Sequence, residues 1–402
     1  MTPDAGTGWS IPFAATRNRG RRKTVTSLLI TLSLNAQICS ARIGEWAFDR
    51  PDRGSHVVRV VSQRDLDTRP QTVHFIAADV GGTHARLGAV RAGGDAGSLR
   101  SGTLQVANYR KYACAAYPSL AGILAEYIAT LDPGSPITQI VIGLPGYALD
   151  GVVINTNLPW PVSIAQMREQ LGLDAIALVN DFEAVAHAVP RIDPAETVVV
   201  AAGRGETLRK PVIVVGPGTG LGAALRIPHG TRDLVLATEA GQAAFAPTTD
   251  LEIEILRVLR RKNSHVSVEH LLSGPGLMNL YAALCALRGE TPTLHAPVEI
   301  SDAALRAGDS AAAQALHVFC GLMGSIVGDL VLTTGAQGGV YLAGGILPQL
   351  RDFLLKSNFT ERFRDKGAMR TVLERVPVRL IEHGQLGVIG AASWHLDHLR
   401  GQ

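Results

Sequence analysis

The sequence holds little cysteine: Cys39, Cys114, Cys285 and Cys320 are the only four in 402 residues, and no two are close in the chain. That spacing excludes a C-x-x-C metal or redox motif and suits the reduced thiols of a cytoplasmic protein. Charge is also scarce, at 18% of residues, with a formal net charge of +3. Even this small excess is local. Residues 1–70 hold eleven Lys/Arg against six Asp/Glu, and the remainder holds 27 against 29. The body therefore offers no basic face for nucleic acid. No glycine turn ends in Gly-Lys-Ser/Thr, so a P-loop is excluded as well.

The leading residues differ from the rest. They are rich in Arg, Gly, Ser and Thr and show no sustained period. The basic stretch Arg17–Lys23 precedes the mildly apolar Val25–Leu34, with small residues at 36–41, which is the outline of a secretory leader. Thr26, Ser27, Thr31 and Ser33 interrupt its apolar part, which is also too short and polar to span a bilayer. Residues 1–71 are expected to be a disordered or non-native extension, silent in function, with ordered pattern starting near Thr72.

What is present from there on is α/β in pattern, with 46% hydrophobic residues and 43 glycines clustered between apolar runs. His74–Val80 reads as a buried strand, Gly81-Gly82-Thr83 as a turn and Ala85–Val90 as the returning strand of a hairpin. A helix is expected over 118–131, strands over 137–143 and 175–179, and a helix over 182–189 that ends before Pro190. A second series follows. Strands are expected at 198–201, 212–215 and 221–227, the last two flanking the turn Gly216-Pro217-Gly218-Thr219-Gly220. Helices follow at 251–261, 275–287 and 310–333, then strands at 340–343 and 378–381 and a final helix at 386–396. One glycine turn per half suggests a duplicated architecture with a cleft between halves, able to close on a ligand.

The motifs carry chemistry of one kind. In Asp79-Val80-Gly81-Gly82-Thr83 the glycines let backbone N–H groups approach phosphate oxygens, Thr83 adds a hydroxyl donor, and Asp79 at the strand end suits Mg2+ held through water. Gly216–Gly222 repeats that logic, with Gly216, Gly218, Thr219 and Gly220 as its contacts. Two such turns in corresponding positions can grip phosphates from both sides. Asn180-Asp181 follows a strand, where a carboxylate points into the cleft of an α/β sheet; the same Asp181 heads a helix and so also reads as an N-cap. Transfer of a phosphoryl group to an alcohol needs a group that takes the hydroxyl proton, and a carboxylate does this. Asn157, Glu239, Gln242 and Glu269 are side chains of the types that grip sugar hydroxyls, though each alone reads equally as a cap or a solvated surface group.

The residues resemble a known family. Asp79–Thr83 with Ala85-Arg86-Leu87, Thr156–Trp160, Asn180-Asp181-Phe182, Gly216–Gly222, Glu239-Ala240-Gly241, Phe245-Ala246-Pro247, His265–Glu269, Leu272–Leu277 and Leu342–Ile346 match, in order and approximate spacing, bacterial glucokinases of the proteobacterial type. The similarity runs from about Phe75 almost to the C-terminus. It implies an actin-like ATPase (ribonuclease H-like) fold of two α/β domains around a central cleft: a small domain over 72–190, completed by a C-terminal helix at about 384–402, and a large domain over 191–383. It implies ATP and Mg2+, with Asp181 as base on the 6-hydroxyl of a hexose, most simply glucose. It puts Asn180, Asn157, Glu239 and Glu269 on the sugar, the Gly81-Gly82 and Gly218 turns on phosphates, and Gly344-Gly345 near the adenosine. A cytoplasmic homodimer of glycolysis, with no nucleic-acid or membrane partner, completes the expectation.

Three places depart from the family pattern. The family's Glu-Gly-Gly-His is Glu239-Ala240-Gly241-Gln242, so the histidine that touches the sugar is an amide, which carries no charge and shuttles no proton. His84 stands where Asn is common after Gly-Gly-Thr, and Gly143-Leu144-Pro145-Gly146-Tyr147 is unusual. Two alternatives stay open at this stage. One is a catalytically weak or non-glucose sugar-binding paralogue, motivated by Gln242. The other is a sugar-responsive regulator, for which residues 1–70 lack the apolar period of a helix-turn-helix and the body lacks a cysteine-rich zinc motif.

Overall fold

The computed structural model describes residues 73–92, 104–132, 137–149, 152–154, 158–205, 209–230, 232–307 and 310–399. The expected extension 1–71 and the expected sugar contact Asn157, with its neighbour Thr156, lie outside the described residues.

The first sheet is built on a hairpin. Strands β1 (Val73–Val80) and β2 (His84–Ala92) pair antiparallel, with Asp79 opposite Arg86 and Val80 opposite Ala85 across the Gly81–Thr83 turn. Strand β3 (Leu104–Ala113) adds to the β2 edge, and β4 (Gln139–Leu144) lies parallel to β1. Strands β5 (Tyr147–Leu149) and β6 (Val152–Ile154) form a separate two-stranded ribbon. Strand β7 (Ala175–Asn180) closes the order β3-β2-β1-β4-β7. The continuous apolar run in β1 follows from cover on both faces. Ile76, Ala78 and Val80 pack toward α1 (Leu120–Ala129) and α2 (Ile164–Leu171), in a core with Ile123, Leu124, Tyr127 and Met167. Phe75 and Ala77 point the other way, into a core with Val141, Val179, Ala184, Val388 and Ala391.

The second sheet repeats the scheme. Strand β8 (Thr197–Ala201) precedes the hairpin β9 (Val212–Pro217) and β10 (Leu221–His229), and β11 (Arg232–Thr238) pairs onto β10. Strands β12 (Gly339–Leu342) and β13 (Val378–Ile381) run parallel to β9, giving the order β11-β10-β9-β12-β13-β8. In both sheets, then, two antiparallel pairs precede two parallel ones, and a glycine turn joins the same two strands. One face is covered by α4 (Asp250–Arg260), α5 (Gly274–Arg288), α6 (Pro297–Ala307), α7 (Ala311–Thr334), α8 (Arg351–Lys356), α9 (Phe359–Arg364) and α10 (Arg370–Leu373). Helix α7 is long and apolar enough to cross a membrane, but most of its side chains are buried in this core, which accounts for its composition.

Helix α3 (Asp181–Ala188) lies between the sheets. Its Ala184 belongs to the core of the first, whereas Val185, Ala186 and Ala188 pack with Val214, Ala224 and Ala343 of the second. Helix α11 (Leu386–Leu399) packs on α3, β1 and β4. The chain passes between sheets near 189–196 and again near 382–385. There Glu382 N–H donates to the Glu196 carbonyl at 3.0 Å, and His383 Nε2 stands 3.4 Å from Glu196 Oε1.

Most expected elements occur within two or three residues of their expected bounds. The exceptions have a physical cause. β3 is an edge strand with one covered side, so its apolar residues are interrupted by Gln, Asn, Arg and Lys and form no long run; β11, at an edge of the second sheet, carries the short run Leu234–Ala237 with Leu234 and Leu236 exposed. In β3, Asn108 adopts φ +50° where the register with β2 shifts, which breaks the alternation further.

Candidate functional site

The N-terminus of α3 is the centre of the site. Its N-cap is Asn180, whose Oδ1 accepts from the N–H groups of Phe182 at 3.0 Å and Glu183 at 3.1 Å. The cap reading of Asp181 is thereby corrected: Asp181 is the first helical residue, and one of its oxygens accepts from Phe182 N–H at 2.9 Å. Its carboxyl is pushed up to about 6, first by burial, then by the neighbouring negative charge of Asp79, with Glu239 adding a smaller push and the N–H groups of Phe182 and of Asp181 itself opposing. A group so poised exchanges a proton with an alcohol near neutral pH.

Asp79, at the end of β1, is pinned by Arg86 Nη1 at 3.1 Å, its antiparallel partner residue. Its carboxyl too lies above the usual carboxylate range, because burial outweighs the Arg86 charge. Gly387, in the first turn of α11, leaves the room Asp79 occupies; a Cβ there would overlap the carboxylate carbon. The adjacent turn is braced from below: Gly81 N–H donates to the His84 carbonyl at 3.0 Å and Cys114 N–H to the Thr83 carbonyl at 3.0 Å. Gly81 and Gly82 are half-buried, and Thr83 is exposed at the rim.

The second turn folds on itself, Gly218 N–H donating to the Gly220 carbonyl at 2.8 Å, and Gly274 at the start of α5 donates to the Gly218 carbonyl at 2.9 Å. Gly344, at φ +88°, turns the chain beside Pro217, so that Gly344-Gly345 flank Gly216 at the mouth of β9 and β12. Gly216 is buried, whereas Thr219, Gly344 and Gly345 are exposed. The two centres meet at Gly222. The Phe182 ring lies where a Cβ of residue 222 would be, so the residue after Asp181 rests directly on the strand leaving the second turn.

The remaining polar residues form a connected group. Glu269 Oε2 accepts from Leu221 N–H at 2.8 Å, and its Oε1 accepts from Gln242 Nε2 at 3.1 Å. The Gln242 carbonyl lies 3.0 Å from His265 Nε2. Glu239, exposed, precedes this short turn and contributes to the field at Asp181. Thus the structure joins Glu269 to Gln242 and couples Asp181 to Asp79 and Glu239. The donor set also suits a divalent cation carried in with a polyphosphate. Asp79 and Asp181 are adjacent carboxyls that repel each other's ionised form, which a cation relieves. Among the described residues no cluster of three or more His, Cys, Asp or Glu could hold a metal ion by itself, so an all-protein cage is not what these residues build.

Sequence reasoning assigned no role to Arg86, Phe182, Gly222 or Gly387. Arg86 was accessible by counting outward from the turn, since Val80 opposite Ala85 puts Asp79 opposite Arg86. The Phe182–Gly222 and Asp79–Gly387 contacts join residues far apart in sequence and leave no local signal.

Comparison with known proteins bears on this geometry. Residues 76–398 match the family model described as Glucokinase. A protein named "Glucokinase-like protein" from Xylella fastidiosa strain Temecula1 is 50% identical over 329 residues, 82% of this chain and 96% of that protein. A "Glucokinase" from Nitrobacter hamburgensis is 37% identical over 329 residues, 82% of this chain and 99% of that protein. The crystal structure of glucokinase from an Antarctic psychrotroph superposes with a TM-score of 0.69 at 34% identity, over 81% of this chain and 99% of that one. The fold is accordingly the actin-like ATPase fold of the sugar kinases, as expected from the two matched sheets.

Proposed function

We propose how this chain, which belongs to the glucokinase family and so phosphorylates glucose with ATP, carries the reaction out: Asp181 accepts the proton of the 6-hydroxyl while that oxygen attacks the γ-phosphorus in line. A new O–P bond forms, the bond to the bridging oxygen breaks, and ADP leaves with its electron pair. The observation that carries this reading is the Asp181 carboxyl, pushed up to about 6 at the tip of a helix held between two sheets. It is ionised at neutral pH and basic enough to take a proton as the new bond forms.

The two glycine turns hold the phosphates through backbone N–H groups, Gly344-Gly345 border the adenosine, and Asp79 is the residue that would hold Mg2+ through water. When bound, Mg2+ supplies charge neutralisation of the phosphates. Glu269, Gln242, Glu239 and the free amide nitrogen of Asn180 grip the sugar hydroxyls, together with Asn157. Glu269 is pre-oriented for this by Leu221 and Gln242, so less side-chain freedom is lost on binding. The small domain, 72–190 with the last helix, closes on the large domain, 191–383, about the two chain crossings. We place the enzyme, as a homodimer, in the cytoplasm at the entry of glucose into glycolysis.

Gln242 favours one second reading, in which the preferred hexose is not glucose or turnover is low. A coupled ADP-release assay over a hexose panel, run with the wild type and Asp181→Asn, tests both. Glucose-dependent release that Asp181→Asn abolishes is expected. A different best hexose supports the second reading, and near-normal turnover by the variant refutes the role of Asp181.

A further inference from the structure

The first glycine turn ends on His84, the position where Asn is common in the family. The His84 Nδ1 lies 3.1 Å from Oγ1 of Thr83. The frame around this pair is held by backbone groups and by Cys114, whose thiol donates to the Gly81 carbonyl at 3.4 Å and whose N–H donates to the Thr83 carbonyl at 3.0 Å. With the frame held, the adjustable element at the rim of the turn is the hydrogen between Thr83 and His84. Two cations act on the ring, and a carboxylate is paired to one of them. Arg86 lies two residues on along β2, Lys111 lies on β3 opposite Arg86, and Asp79 on β1 is paired to Arg86 at 3.1 Å. Burial, Lys111 and Arg86 together hold the ring below the ordinary histidine pKa, so near neutrality it is uncharged while the turn is empty of anions.

The chemistry follows from the donor inventory. A neutral ring with its hydrogen on Nε2 accepts the Thr83 hydroxyl hydrogen, and Thr83 then shows only lone pairs to an arriving phosphate. A ring carrying hydrogen on Nδ1 donates to Oγ1 and releases the Thr83 hydrogen toward the phosphate. Protonation enforces the second state and adds a positive charge beside the anion. Asn at this position has no such titration.

We propose that His84 is a positioning residue of the nucleotide site, which by taking up a proton makes Thr83 a phosphate donor and links ATP affinity to pH. The inference rests on the reading of Gly81–Thr83 as a phosphate turn. The sign is set by linkage: ATP prefers the protonated ring and so raises its pKa. Affinity is therefore greatest below the free-ring pKa and falls as pH rises through the raised value. A rise of about one unit gives about a tenfold difference between the two limbs.

Titration calorimetry of MgATP without sugar, at intervals from about pH 5.5 to 8 and in buffers of different ionisation heat, reads both affinity and proton uptake. The proteins are the wild type, His84→Asn and Thr83→Ala. The titration of MgATP itself is common to all three and cancels in the ratios. The wild-type affinity relative to His84→Asn is expected to fall about tenfold across this range, with more net proton uptake in the wild type than in His84→Asn. Thr83→Ala is expected to bind more weakly at acid pH and to lose most of the pH dependence. If the wild type and His84→Asn give parallel profiles while Thr83→Ala binds weakly, the inference fails and the phosphate turn stands. If Thr83→Ala binds as tightly as the wild type at every pH, the reading of the turn fails, and the inference with it.

Discussion

Replacing Asp181 by Asn should damage turnover and strengthen the fold, with both effects tied to one carboxyl. In the folded chain that carboxyl titrates near 6, against an ordinary value of 3.8. Between those values the native state keeps a proton that the unfolded state has released, so stability falls as pH rises through this window and stays lower above it. About two units correspond to about 3 kcal/mol at full strength, and to about 1–3 kcal/mol once partial solvent access is allowed for. Asn keeps the shape and the acceptor for Phe182 N–H but has nothing to ionise. Denaturant unfolding should therefore show the variant more stable by about 1–3 kcal/mol at pH 8, with the gap closing as pH approaches 4. In the coupled assay kcat should fall about 10²- to 10⁴-fold, as loss of a general base does. The wild-type kcat/KM for glucose should decline as pH drops through about 6, where Asp181 gains its proton. A variant less stable than the wild type at pH 8 would mean that the carboxylate is well satisfied in the native state, and the reasoning from burial and Asp79 would be wrong.

Four further substitutions, at three positions, probe the surroundings. Gly222→Ala places a methyl group where the Phe182 ring lies; overpacking should cost about 1–3 kcal/mol in thermal or denaturant unfolding. A shift of about 1 Å at the adjoining Asp181 should cost about a hundredfold in kcat. Gln242→Ala removes a hydrogen bond to the Glu269 carboxylate, worth about 1.5–3 kcal/mol, so KM for glucose should rise about tenfold or more with kcat much less affected. Gln242→His should instead make that KM depend on pH, lowest below about 6.5, where an imidazolium pairs with Glu269, and rising above it. Glu252→Ala removes the carboxylate 2.7 Å from the Arg362 guanidinium, the two side chains being 3% and 14% exposed, and leaves that cation with the neutral Thr248 hydroxyl as partner. Unfolding should show a loss of about 3–5 kcal/mol, with both KM values unchanged in protein that remains folded.

The hairpins and the residues at their turns were legible in the sequence because buried strands carry unbroken apolar runs and tight turns need glycine. His74–Val80 and Val212–Val215 show both signs side by side. Strand β3 was not, because Leu104–Ala113 is an edge strand with one solvated side and an irregular register at Asn108. Helix α3 was legible as a helix but not as a wedge. Ala184 faces one sheet and Val185, Ala186 and Ala188 the other, so the short apolar stretch reads as one buried face until both partners are known. The link between Glu269 and Gln242 was likewise out of reach, since 27 residues separate them and the register of the β9–β10 hairpin decides where Leu221 N–H points.

The order Asn180-Asp181 is what leaves a carboxyl of raised pKa at this position. A helix N-terminus offers unpaired N–H groups that favour a carboxylate and lower its pKa. Had the aspartate been the N-cap, its oxygens would have taken the N–H groups of N2 and N3, and a carboxylate accepting two or three such bonds falls far below the usual range. A proton bound that weakly is of little use to an alcohol oxygen near neutral pH. Here Asn180 accepts both capping bonds, and Asp181 receives one bond from Phe182. Burial and the Asp79 charge then outweigh the backbone N–H groups of Phe182 and Asp181 itself and carry the carboxyl to about 6. The neutral amide takes both capping bonds of the helix end, and the stability lost by keeping Asp181 under-solvated appears as a more basic carboxylate.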